Sequence, residues 1–90
     1  MMILAPVVRG RKGEHRDVLD KLRKDGFVRA RIDRKIVALD EQIAPLDKKV
    51  KHNIEAVVDR LVCGKLEPSR LNDSIESALK LGDGVMLLLL

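Results

Sequence analysis

Hydrophobic and polar positions along the chain change period several times, and each change marks an element. Ile3 to Val8 is a short apolar run that reads as a buried strand, with Pro6 demanding an edge position or a bulge. Gly10-Arg11-Lys12-Gly13 reads as a loop. Glu14 to Lys24 places Val18, Leu19 and Leu22 on a narrow helical stripe, and Asp25-Gly26 ends it with glycine at the left-handed C′ position. Phe27 to Ile32 alternates, with Val28, Ala30 and Ile32 on the core face and Phe27, Arg29 and Arg31 opposite. Asp33-Arg34 separates it from a second short strand, Lys35 to Leu39, as in a hairpin. Asp40 to Lys51 is polar around Pro45 and reads as a loop.

Asn53 to Val62 alternates again, Ile54, Ala56 and Val58 against Glu55, Val57 and Asp59, until Cys63-Gly64-Lys65 breaks it. Pro68 suits a first helical turn. Leu71, Ile75, Ala78 and Leu79 form the stripe of that helix, and Gly82 closes it before a last strand from Val85 to Leu90. The order β-α-β-β-β-α-β predicts an α+β domain, a mainly antiparallel five-stranded sheet with two helices packed on one face. Residues 1–90 form one domain, and the strands at both ends suggest a module cut from a larger protein.

Composition narrows the chemistry. The chain has 90 residues, one Phe, no Tyr and no Trp, which removes the flat faces needed to stack bases or sugars. The net charge is +4, and eleven basic against five acidic residues fall between Arg9 and Lys35. Such a stretch favours an acidic partner, either nucleic acid or the acidic face of a protein. One cysteine forms no internal disulfide and suits a reducing, cytoplasmic setting. The first residues lack the basic leader and long apolar core of a signal peptide, and the longest apolar run falls far short of a membrane span.

His15, His52 and Cys63 lie at no metal-ligand spacing, so neither metal nor cofactor is expected. Ser69, Ser74 and Ser77 are explained by helix capping and solvation, and no nucleophile elbow is present, so the chain does not read as an enzyme. The GxxG segment makes Arg11 and Lys12 candidate phosphate contacts, since amides at a helix start can hold an anion; the plainer reading is a basic turn. Arg29 and Arg31 share one strand face with Asp33. Either Glu55 and Asp59 answer them from a neighbouring strand, or the face is a protein-binding surface with Phe27 beside it.

Five blocks carry a resemblance: Ile3-Leu4-Ala5-Pro6-Val7-Val8; Arg11-Lys12-Gly13-Glu14-His15; Gly26-Phe27-Val28-Arg29-Ala30-Arg31-Ile32-Asp33; Lys51-His52-Asn53-Ile54-Glu55-Ala56-Val57-Val58-Asp59-Arg60-Leu61; and Arg70-Leu71-Asn72-Asp73-Ser74-Ile75-Glu76-Ser77-Ala78-Leu79-Lys80-Leu81. In this order, over nearly the whole chain, they resemble the UvrB-binding domain of UvrA, the damage-recognition subunit of the bacterial UvrABC excision nuclease. The resemblance implies a docking module inserted within an ATPase domain, recruiting UvrB in nucleotide excision repair. The ATP-binding motifs of that subunit are absent here, so its ATPase activity is not carried over. The resemblance also implicates Arg29 and Arg60 in holding UvrB, although Arg60 falls on the other parity of its strand. Asp33-Arg34-Lys35 departs from the Asp-Gly turn of many relatives, the connection from Cys63 to Pro68 is unlike theirs, and the terminal leucines replace a valine-rich strand end. A rival expectation is sequence-independent DNA binding by the Arg9–Lys35 stretch. The uncharged terminal strand is also a candidate for self-association.

Overall fold

The computed structural model describes residues 1–40, 43–61 and 67–90. Its elements are β1 (Met2–Lys12), α1 (Arg16–Lys24), β2 (Arg29–Ile32), β3 (Lys35–Ala38), β4 (Lys51–Arg60), α2 (Pro68–Leu81) and β5 (Leu87–Leu89). One sheet runs β3-β2-β4-β1-β5, and every neighbouring pair is antiparallel. The α+β class and the element order are those expected. The break at Cys63-Gly64-Lys65 lies outside the described residues.

Both helices cover one face. Ala30, Ala56 and Ala5 lie in register across β2, β4 and β1, all fully buried. Methyl groups in a row let the helices approach the sheet closely. Leu19 and Leu22 of α1 pack with Val8, Ala30, Ile32, Leu39, Ile54 and Ala56. Ala78 of α2 packs with Ile3, Ala5 and Leu61. The two clusters share the sheet face on which Ala5 and Ala56 are partners.

Local chemistry explains the ends of the elements. After α1, Gly26 (φ 92°) donates to Arg23 O at 3.1 Å and Phe27 N–H to Leu22 O at 3.0 Å, the paired bonds of a Schellman cap. Ile32 and Lys35 are partners, so Asp33 (φ 49°) and Arg34 (φ 72°) form a two-residue hairpin turn with both central residues left-handed, the I′ pattern. At Gly82 a Cβ would sit 2.1 Å from the Val85 carbonyl oxygen, so only glycine lets the chain double back there.

Several expectations are corrected. Gly10-Arg11-Lys12 is not a loop opening a helix: β1 continues to Lys12, with Arg11 opposite His52 and Lys12 opposite Lys51. Pro6, by contrast, meets its expectation through a bulge and not an edge: β1 is an inner strand with a register shift between Pro6 and Val8, and β5 pairs only with Met2–Leu4, so the missing N–H breaks no ladder bond on that side. Val28 is 59% exposed, whereas Phe27 packs against the α1 cluster. The helical cap turns the chain between Phe27 and Arg29, so strand alternation begins only at Arg29. Leu79 is exposed, and Leu81 takes its place between the two clusters.

Candidate docking groove

β2 pairs with β4 only over Ala30–Ile32, opposite Ile54–Ala56. Beyond Ala56, β4 runs on to Arg60 while the chain on the β2 side turns away towards α1. The gap is a groove of about 280 Å³ lined by Gly26–Arg29, Val57–Arg60 and Arg70.

A bulge brings Arg60 into this groove. Leu4 is opposite Val57 but Ile3 is opposite Asp59, so Val58 is an extra residue on β4. One inserted residue reverses the faces that follow it. Asp59 therefore sits on the helix side, opposite Ile3, and Arg60 takes the parity of Arg29 and Arg31. The alternation expected from Ile54 onward is correct as far as Val58, which packs on the helix-side cluster, and inverted from Asp59.

Asp59 then meets α2 instead of answering Arg29 or Arg31. It accepts hydrogen bonds from Arg70 Nη2 at 2.7 Å, Arg70 Nε at 3.1 Å, Ser74 Oγ at 2.6 Å and the Arg60 N–H at 2.8 Å. The Arg70 hydrogen bonds, chiefly, hold its carboxyl down at about 2. Sequence patterning misses this cluster, because capping or solvation already accounts for Ser74. The i, i+4 spacing of Arg70 and Ser74 puts them on one helical face and is the signal that points to it.

Arg31 is also committed internally. Its Nη1 donates to Glu55 Oε1 at 3.1 Å, with side-chain exposures of 20% and 8%. Burial pushes the Glu55 carboxyl above its ordinary range despite the opposing pull of Arg31. Arg29 and Arg60 are different: both are exposed and neither forms an ion pair among the described residues. The groove thus presents two uncompensated guanidinium groups beside Phe27, Val57 and Val58. Guanidinium forks grip carboxylates in two-point contact, and Phe27 and Val58 supply some apolar surface beside them in a groove that is otherwise mostly polar.

Arg11 and Lys12 do not join this site; they lie at the far end of β4, beside His52 and Lys51. Among the described residues, no group of three or more His, Cys, Asp or Glu is placed to hold a metal ion. No described helix is long and apolar enough to cross a membrane.

All of residues 1–90 match the family described as the UvrA interaction domain. The chain belongs to that family. It is 54% identical over 87 residues to UvrABC system protein A of Clostridium perfringens, and 54% over 87 residues to the protein of that name in Pseudomonas putida. It is 51% identical over 88 residues to UvrABC system protein A of Streptococcus pyogenes. These alignments take in 97–98% of the chain but only 9% of each relative's length. As a UvrA interaction domain, the chain presents its two uncompensated arginines at one end of the sheet, on a groove built by β2, β4 and the start of α2.

Proposed function

We propose that this UvrA interaction domain is a non-catalytic docking module that holds UvrB in the Arg29–Arg60 groove, acting in bacterial nucleotide excision repair in the cytoplasm. The observation that carries the reading is the convergence of Arg29 and Arg60. Both line one groove, Arg60 turned into it by the Val58 bulge, with no internal carboxylate among the described residues taking up their charge. Such a groove fits a partner segment with a carboxylate beside an apolar side chain. Arg31 contributes indirectly, by pairing with Glu55 where β2 and β4 are still joined next to the groove. The Asp59–Arg70–Ser74 cluster fixes the end of β4 against α2 and so sets the position of Arg60.

Truncating one partner of a desolvated charge pair costs about 2–5 kcal/mol. Arg29→Glu and Arg60→Glu should each weaken UvrB binding well over tenfold in a calorimetric titration, with circular dichroism unchanged. Wild-type affinity in both variants would remove the assignment.

A further inference from the structure

Six cations from three separate stretches meet at the end of the sheet away from the groove. Lys12 closes β1 directly opposite Lys51, which opens β4. Lys48 and Lys49 form the turn leading into β4, closed by the Val50 N–H donating to Asp47 O at 3.2 Å. Arg34 and Lys35 form the tip of the β2–β3 hairpin. All six are exposed, and none makes an ion pair among the described residues.

The nearby acids are already engaged. Asp33 binds His52 Nδ1 at 2.6 Å and the Asn53 N–H at 2.9 Å. Asp47 caps the Lys49 N–H at 2.9 Å, and Glu14 pairs with Arg16 at 3.2 Å. His52 holds the pieces together: it donates through Nδ1 to Asp33 of the hairpin and through Nε2 to the Asp47 carbonyl of the turn, at 2.7 Å. The lysines are therefore mounted on fixed backbone. Like charges placed directly opposite on neighbouring strands repel, as Lys12 and Lys51 do, and a bound anion relieves that repulsion.

We propose that this face binds the phosphate backbone of duplex DNA without reading its sequence. Charge density favours a polyanion over a single phosphate. Phe27, the one Phe, Tyr or Trp of the chain, is packed against the α1 cluster, so none of these large aromatic side chains is available at this face for base stacking or as a protein anchor. The face shares only Lys12, Arg34 and Lys35 with the Arg9–Lys35 stretch expected from the sequence. The structure disperses that stretch, sending Arg29 to the groove and Arg31 to Glu55, and brings in Lys48, Lys49 and Lys51 instead. β4 separates this face from Arg60 by about 30 Å at roughly 3.3 Å per residue, so partner and duplex can be held together.

The test is fluorescence anisotropy of the 90-residue chain with a labelled 20-base-pair duplex, at about 50 and 200 mM salt. Micromolar binding at low salt, weakening roughly a hundredfold or more at high salt, is the expected result. Lys12→Gln/Lys51→Gln should lower the salt slope by about two, one for each lost phosphate contact. Lys24→Gln/Lys80→Gln, with the same change in net charge elsewhere, should leave the slope as in wild type. No binding at 50 mM salt, or equal loss in both double variants, would overturn the proposal. Polyglutamate competing as well as unlabelled duplex would overturn the assignment to DNA and mark the face as one for acidic proteins.

Discussion

Replacing Arg31 with methionine separates a structural role from a partner-binding one. The substitution keeps most of the side-chain volume and leaves Glu55, 8% exposed, without its cation. At 3.1 Å the gross attraction in the pair is about 5 kcal/mol for an effective dielectric near 20. Burial of Glu55 offsets part of it, as the raised carboxyl shows. Breaking a buried pair from one side costs about 3–5 kcal/mol, and Arg31's 20% exposure lets water reach the abandoned carboxylate, which argues for the lower end. We expect a loss of about 3 kcal/mol at pH 7.5, a fall in Tm of about 12–24 °C for a chain of this size.

The pH dependence is the sharper readout. Glu55 in the fold favours its neutral form, so its contribution is full below the unfolded value of 4.5 and is lost as pH rises through the folded value. Without Arg31 that folded value rises further. The destabilisation of Arg31→Met measured by urea unfolding should therefore shrink by more than half between pH 7.5 and pH 4.5. Arg31→Met/Glu55→Leu should recover most of the loss, because no charge is left buried. An equal loss at both pH values, or a double variant as unstable as the single one, would refute the reasoning.

The Asp33–His52 pair sets a second pH window. Burial opposes the shift at Asp33, but hydrogen bonds from His52 and Asn53 pull its carboxyl below 3.8; the Asp33 and Asp47 hydrogen bonds raise His52 above 6.5. The pair's full contribution falls between about pH 3.8 and 6.5, fading as pH drops through the folded Asp33 value or climbs through the folded His52 value. Stability against pH should slope downward above 6.5 in wild type and flatten there in His52→Phe; an unchanged slope would count against the pair. At the sheet edge, β5 presents Leu88 at 53% exposure and Leu90 follows at 98%. Light scattering should show self-association of the chain at millimolar concentration that Leu88→Lys/Leu90→Lys abolishes; a monomeric wild type would refute it.

The set of elements and their order are legible in the sequence alone. Alternation at Ala30, Arg31 and Ile32, the helical stripe of Leu19 and Leu22, the Gly26 cap and the Asp33-Arg34 turn all follow from contacts only a few residues apart. Such signals lie in the residue types and their spacing, so they show before any tertiary partner is known. The family relation is legible too, since it rests on residue order. Where the faces point is decided elsewhere. A period of two predicts faces only while every residue has one partner, and the extra Val58 is visible only opposite Leu4 and Ile3 of β1. That bulge sends Asp59 to Arg70 and Arg60 to the Arg29 groove. Charge behaves in the same way. The second half of the chain is neutral in sum, yet Lys48, Lys49 and Lys51 stand beside Lys12 and Arg34 because antiparallel pairing sets the start of β4 against the end of β1. Net charge along a chain is a local property, whereas the field at a surface is a sum over neighbours that only the folded structure assembles.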